Sequence, residues 1–375
     1  MSTMVKSQGM TREQELVLEL VQFRNPNNEK IMSLFKERLD LAEVLGHLSY
    51  NRVAGIAYHT LRKIDAPFIN REFELSISLI HDIQSHRTAS HRKSIISISE
   101  GLRMKNIPHA FLKGSILANS IYPSGCRISS DIDILLRTED LTACGDVLRA
   151  MGFVQGDYDD NTKQIKPASR REIINYRVNY GEVKPYLRTT NEPGIRLIEV
   201  DLNFSLDWLA SGTEQAVDNF IRNSEDYPFE GGYTVSSLAR EYFLAHLCVH
   251  LFKEAAVLNW VDWQRDLGLY KFVDIYAFLT DPGIAIDWEK LIAVMEENDI
   301  VEECYYSFDY TRTFFPSLCA QEPFMAMMAR IQPKDTDYLN HVVDPANSAV
   351  KYQWKKTLID RFFDMKRYES LEKVT

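Results

Sequence analysis

The sequence predicts an α+β fold, in which a small mixed sheet is flanked by helical regions on its N-terminal and C-terminal sides. Apolar residues recur at helical spacing in the first and last parts of the chain, whereas strand-like alternation is confined to the middle. A length of 375 residues exceeds one small core, and 45% apolar residues are enough to bury a sizeable one. We therefore expect an N-terminal helical region at 1–106, a sheet core at 107–210 and a C-terminal helical region at 211–375.

The N-terminal region contains four stretches in which apolar residues are three or four positions apart, which is typical of helices with one buried face. These stretches are 13–23, 30–47, 52–62 and 72–105. Asn25-Pro26-Asn27-Asn28 and Asp65-Ala66-Pro67 separate helices, because proline disfavours a helical residue before it.

The pattern changes after Ile107-Pro108-His109. Residues 110–112 and 132–136 indicate strands, and a helix at 139–151 ends at Gly152, which suits a left-handed cap. Further strands are expected from 153, at 177–187 and at 194–206, the last two bordering a turn at 191–194.

Helical spacing returns in the C-terminal region, with helices expected around 238–252 and at 262–280, 287–297 and 301–315. Residues 352–373 combine aromatic and aliphatic side chains with Lys and Arg, which predicts a basic amphipathic helix. We expect this helix to pack on the body of the protein and not on a membrane.

Overall charge and cysteine content limit the classes of function. The 43 Lys and Arg against 53 Asp and Glu give a formal net charge of −10, which disfavours a long nucleic acid as partner. The five cysteines are odd in number and form no C-x-x-C pair, as expected of reduced thiols. With no signal peptide and no membrane-length apolar run, we expect a cytoplasmic protein without a membrane span.

The predicted strand at 132–136 carries the most informative motif. Side chains alternate along a strand, so Asp131 and Asp133 share one face while Ile132 and Ile134 take the other. Their Cα atoms would be about 6.6 Å apart, from which two carboxylates can bind a pair of ions about 3.5–4 Å apart. Oxygen ligands of this kind suit Mg²⁺.

Gly114 and Ser115 follow the first predicted strand. Glycine allows the backbone to approach a phosphate closely, and neighbouring N–H groups with a hydroxyl can hold its oxygens. The chain has neither G-x-x-x-x-G-K-[ST] nor a G-x-G-x-x-G after a strand, which excludes P-loop and dinucleotide-binding readings.

The order of K-G-S at 113–115, Y-P at 122–123, Arg127 and S-D-I-D-I-L at 130–135 resembles the DNA polymerase beta-like nucleotidyltransferase superfamily. Within it, the chain is most similar to an uncharacterised bacterial family with K-G, R-x-S-D-x-D and D-x-H-aromatic segments. The resemblance covers 107–206 closely and 244–279 more loosely. This chain departs from the last segment by having Asn203 in place of His and Phe204 in place of Trp.

The resemblance implies a nucleotidyltransferase core that moves a nucleoside monophosphate from an NTP to an acceptor, with two Mg²⁺ ions and release of pyrophosphate. Asp131 and Asp133 would hold the metals, and Gly114 and Ser115 the triphosphate. Asp201 would be the third metal-binding carboxylate, although Glu199 lies on the same strand face.

Lys113 and Arg127 are the positive side chains nearest to this motif, and we expect them to contact the pyrophosphate. Between 163 and 196 there are eight Lys or Arg against three Glu, and part of this basic segment is expected to face the triphosphate or acceptor. The acceptor is unidentified and could be a small molecule, peptide or protein. Two alternatives stay open, a non-catalytic nucleotide-binding or scaffold protein and a two-metal phosphohydrolase.

Overall fold

The computed structural model describes residues 9–64, 69–179, 181–206 and 214–374. The chain divides into two compact units, one formed by 1–81 together with 247–375 and the other by 82–246. The three regions expected from the sequence stay a prediction, and the predicted break at 65–67 lies outside the described residues. No helix among the described residues is long and apolar enough to cross a membrane.

The unit 82–246 contains an eight-stranded sheet in the order β4-β3-β5-β6-β2-β1-β8-β7. Strand β2 is parallel to β6 and β1 is parallel to β8, whereas the other neighbours are antiparallel. The predicted α+β class with a mixed sheet is confirmed. Its strands are β1 Ala110–Phe111, β2 Ile132–Leu135, β3 Val154–Asp159, β4 Gln164–Pro167, β5 Tyr186–Thr189, β6 Leu197–Asn203, β7 Ser224–Phe229 and β8 Tyr233–Leu238.

Helices occupy most of the N-terminal and C-terminal segments, as predicted. The α-helices of the described residues, including three in the middle segment, are α1 Arg12–Leu20, α2 Asn28–Phe35, α3 Leu41–Tyr50, α4 Ala54–Ile64, α5 Arg71–Met104, α6 Gly114–Ile116, α7 Leu141–Ala150, α8 Arg170–Asn179, α9 Glu214–Arg222, α10 Arg240–Ala255, α11 Leu258–Asp262, α12 Leu269–Leu279, α13 Trp288–Glu297, α14 Val301–Phe314, α15 Glu322–Arg330 and α16 Leu358–Phe362. The stretch 30–47 forms two helices instead of one, because Asp40 caps α3 by accepting hydrogen bonds from the N–H groups of Ala42 and Glu43.

The strand predicted at 177–187 is wrong for most of its length. Residues up to Asn179 belong to helix α8, and strand β5 begins only at Tyr186. A capping box starts this helix: the Ser169 hydroxyl accepts from the Glu172 N–H at 3.3 Å, and the Glu172 carboxylate accepts from the Ser169 N–H at 2.7 Å. The sequence S-x-x-E at 169–172 carries this signal.

The sheet also includes a hairpin, β7–β8, in a segment without a predicted strand. Gly231 and Gly232 form its turn with φ of +89° and +80°, values that glycine adopts at little cost. Pro228 lies in β7, which is at the edge of the sheet, where a missing N–H is tolerated.

The basic amphipathic helix predicted at 352–373 is also wrong. This segment contains the end of a strand, the five-residue helix α16 and another strand, and it contributes to a three-stranded antiparallel sheet of β9 His341–Asp344, β10 Asn347–Trp354 and β11 Leu371–Lys373. Two of its cations are buried: Arg361 donates to the Tyr310 hydroxyl at 2.8 Å, and Arg367 donates to Asp266 at 2.9 Å. Arg361 and Arg367 are therefore paired with buried partners and do not form a solvated basic face.

Candidate active site

The parallel pair of β2 and β6 brings the predicted acidic residues together. Asp133 lies directly opposite Asp201, and their neighbours Ile132 and Val200 are also register partners. Residues opposite one another on adjacent strands share a face of the sheet and are about 5 Å apart. Glu199 is on the same face as Asp201, two positions earlier. The sheet therefore gathers four carboxylates, since Asp131 immediately precedes β2.

Asp133 has two partners from other segments. The Lys113 ammonium donates to its Oδ1 at 2.8 Å, and the amide of Asn203 donates to the same oxygen at 3.4 Å. Asn203 stands at the position where the resembled family has histidine, and here its side chain orients Asp133. Only 7% of the Asp133 side chain is exposed, so this carboxylate depends on these donors.

Asp201 and Glu199 are in a different electrostatic situation. The Oδ1 of Asp201 is buried and accepts no hydrogen bond from any described residue. Burial, followed by the charges of Asp131 and Asp133, raises the pKa of Asp201 well above its ordinary value. The same causes raise the pKa of Glu199 to about 7. Carboxylates held this close favour either protons or a cation.

These residues fit a Mg²⁺ centre in chemistry, because carboxylate oxygens are its preferred ligands and no described residue donates a hydrogen bond to the Oδ1 of Asp201. Within the described part of the chain, however, no three carboxylate, imidazole or thiol side chains already stand in an arrangement that could hold a metal ion. Binding of a metal ion would therefore require carboxylate side chains to turn and Lys113 to release Asp133. The metal ligands Asp131, Asp133 and Asp201 stay a prediction.

Lys113 has an unusual backbone conformation for a residue with a side chain, with φ of +47°. It lies between β1 and α6, and a fifth of its side chain is exposed. Burial alone would lower the pKa of Lys113, but the charges of Asp133 and Asp131 outweigh it and raise the pKa. The ammonium thus stays charged and balances part of the charge of Asp131, Asp133, Glu199 and Asp201, which together form the acidic face of the sheet.

Gly114 is required by packing against the segment that carries Asp131. A Cβ at this position would lie 2.6 Å from the Ser129 Oγ and 2.9 Å from its Cβ. The same Ser129 hydroxyl donates to the backbone carbonyl of Asp131 at 2.8 Å. Gly114 therefore determines how closely the turn at Gly114 and Ser115 approaches the segment that leads into strand β2.

Ser115 offers only part of the predicted phosphate site. Its N–H donates to the Leu112 carbonyl at 3.1 Å, which occupies one of the main-chain donors that the sequence suggested. Its hydroxyl is buried and forms no hydrogen bond with any described residue. A phosphate role for Ser115, through this Oγ, stays a prediction.

Arg127 is also buried, and its guanidinium donates to the carbonyl of Ile128. Its predicted contact with pyrophosphate is untested. In the basic segment 163–196, Lys184 pairs with Asp157 at 2.6 Å and Arg196 pairs with Asp160 at 3.2 Å. Neither of these two ion pairs involves Asp131, Asp133, Glu199 or Asp201.

Sequence reasoning missed Glu182. It forms an antiparallel bridge with Asn203, which places it on the face that carries Asp201, and its charge contributes to the raised pKa of Asp201 and Glu199. The Tyr176 hydroxyl of helix α8 donates to its Oε1 at 3.1 Å. The capping box before α8 could have revealed the helix, but no local signal assigns Glu182 to the site.

The chain matches a family model described as "uncharacterised nucleotidyltransferase" over residues 37–316, which is well over half of its length. Among curated proteins, none is significantly similar to it. A solved structure, an antigenic nucleotidyltransferase-like protein from Paracoccidioides brasiliensis, superposes with a TM-score of 0.30 at 10% identity, covering 66% of this chain and 94% of the other.

Proposed function

Because the chain belongs to the family of uncharacterised nucleotidyltransferases, we propose that it transfers a nucleoside monophosphate from an NTP to a hydroxyl-type acceptor and releases pyrophosphate, with Mg²⁺, in the manner of polymerase beta-like enzymes. The observation that carries the proposal is the register of β2 and β6, which sets Asp133 opposite Asp201. The buried Oδ1 of Asp201, which has no partner among the described residues, supports a cation there.

In the proposed reaction, the acceptor oxygen forms a bond to the α-phosphorus while the bond from that phosphorus to the α–β bridging oxygen breaks. Bound Mg²⁺ would neutralise phosphate charge and acidify the attacking hydroxyl. Asp131 and Asp133 would orient the triphosphate through the metal ions. Asp201, next to Asp133, would favour loss of the acceptor's proton, and pyrophosphate would leave past the Gly114–Ser115 turn.

Position matters more than covalent chemistry for this class of reaction, because an in-line arrangement and charge neutralisation provide most of the rate. The structure supports this requirement in two ways. The Lys113 ammonium and the Asn203 amide both donate to Asp133 Oδ1, and Ser129, which lies close to Gly114, donates to the Asp131 carbonyl.

The test uses NTPs labelled at the α-phosphate, incubated with the protein, Mg²⁺ and panels of sugars, peptides and proteins. We expect label to appear on an acceptor, and Asp133→Asn and Asp201→Asn to reduce transfer by at least 100-fold. Asp160→Asn is the matched control, since Asp160 is exposed and pairs with Arg196 in the same unit.

Each other outcome selects one of the alternatives. Phosphate or monophosphate release without a labelled acceptor would indicate a two-metal phosphohydrolase. Saturable NTP binding without any product would indicate a nucleotide-binding scaffold. Full transfer by Asp133→Asn would refute the assignment of the acidic face.

A further inference from the structure

Lys113 already forms an ion pair with Asp133, one of the predicted metal ligands. Its ammonium is 2.8 Å from Asp133 Oδ1, and the charges of Asp131 and Glu182 also act on it. A Mg²⁺ ion bonds to carboxylate oxygens at about 2.0–2.1 Å. An ammonium and a divalent cation cannot share that oxygen without strong repulsion.

The backbone at Lys113 has an uncommon conformation. A φ of +47° is seldom adopted by residues with a side chain, and Lys113 immediately precedes Gly114 and Ser115. Lysine has a flexible four-carbon stem and three rotatable donors, so its ammonium can change partners while the backbone stays in place. In the proposed reaction, the anion that the substrate would offer to this ammonium is the triphosphate of the NTP.

We propose that Lys113 is an exchangeable counter-ion that couples metal binding to nucleotide binding, an inference that rests on the proposed function. In the metal-free protein it neutralises Asp133. Mg²⁺ displaces it, and the freed ammonium binds the non-bridging oxygens of the incoming triphosphate. Metal without NTP must compete with Lys113 for Asp133. When NTP is also present, the metal binds Asp133 and the triphosphate binds Lys113.

This coupling gives Lys113 opposite effects on the two ligands. Removing the ammonium leaves Asp133 without its competitor, so the affinity for metal alone should rise. It also removes a phosphate contact, so the affinity for the nucleotide should fall. If Lys113 had a purely structural role, its substitution would weaken both the metal affinity and the nucleotide affinity, or neither.

The first test measures Mn²⁺ binding by electron paramagnetic resonance, and binding of a non-hydrolysable NTP analogue with Mg²⁺ by calorimetry. We expect Lys113→Met to bind Mn²⁺ alone at least threefold more tightly and the analogue at least tenfold more weakly than wild type. Lys105→Met, an exposed lysine of the same unit, should match wild type in both. Changes of the same sign in Lys113→Met would overturn the proposal.

The second test uses the unaltered protein and does not depend on a variant that folds. Amine acetylation followed by mass spectrometry should show Lys113 protected without metal, modified when Mg²⁺ is present, and protected again by Mg²⁺ with the analogue. Labelling that Mg²⁺ leaves unchanged would overturn the proposal while leaving the proposed function intact. Failure of wild type to bind either Mn²⁺ or the analogue would instead refute the proposed function, and the coupling with it.

Discussion

Gly114→Ala tests whether the start of helix α6 fixes the position of the segment that leads into strand β2. The new Cβ would lie 2.6 Å from the Ser129 Oγ and 2.9 Å from its Cβ, so one of the two segments must move. Overpacking of this kind costs about 1–3 kcal/mol of unfolding free energy. The higher helix propensity of alanine offsets at most about 1 kcal/mol, because α6 has only three residues.

A double-mutant cycle isolates the clash. In a Ser129→Gly background both close atoms are gone, and the nearest remaining one is the residue-129 Cα at 3.6 Å, an ordinary contact. The cost of Gly114→Ala should therefore fall to within about 0.5 kcal/mol of zero in that background. Gly46→Ala in α3 is the control, because nothing lies within 4 Å of its Cβ, and it should be neutral or stabilising.

The free energies come from urea denaturation followed by circular dichroism, and hydrogen exchange of β2 locates the change. Because Ser129 donates to the Asp131 carbonyl, Gly114→Ala should also weaken Mn²⁺ binding. An equal cost of Gly114→Ala with and without Ser129 would refute the reasoning, since the contact would then not be the cause.

Three further predictions concern other contacts. Tyr176→Phe removes the hydrogen bond to Glu182, so hydrogen exchange in α8 should accelerate about two- to tenfold, and unchanged exchange would contradict the contact. The pKa of Glu199 rises on folding from 4.5 to about 7, so the native metal-free protein binds a proton that the unfolded chain has released. Stability in EDTA should therefore fall as pH increases across that window, by at most about 1.4 kcal/mol per pH unit, and urea denaturation of Glu199→Gln should show a shallower slope. Arg367→Met leaves a fully buried aspartate unpaired and should cost about 3–5 kcal/mol in thermal or urea unfolding, whereas Arg330→Met, at an exposed pair, should cost far less; equal costs would be inconsistent with burial as the cause.

The strands next to the site were predictable because their signals are local. Alternation at 132–136 placed Asp131 and Asp133 on one face, and the observed β2 spans Ile132–Leu135. The strand predicted at 194–206 is β6, Leu197–Asn203. Alternation with a period of two can be recognised within a single segment, since the direction of side chains along a strand follows from backbone geometry alone.

The errors arose where local patterns were ambiguous or were interpreted too simply. The exposed apolar side chains Ile174 and Val178 obscured a helix whose capping box begins at Ser169. In the C-terminal segment, Arg361 and Arg367 suggested a solvated basic face, yet both are buried against partners distant in sequence. Propensity and periodicity do not report on such long-range pairs.

The sequence by itself determined the mixed α+β class, the face on which Asp131 and Asp133 lie, and the resemblance from which the nucleotidyltransferase expectation came. These features depend on residue type and spacing within one segment. Only the tertiary structure decided that Asp201 stands opposite Asp133, that Lys113 binds the same carboxylate, and that Glu182 joins the acidic face. Strand register and ion pairing join residues 20 to 70 positions apart. Such contacts depend on how the whole sheet assembles, and no local pattern encodes them.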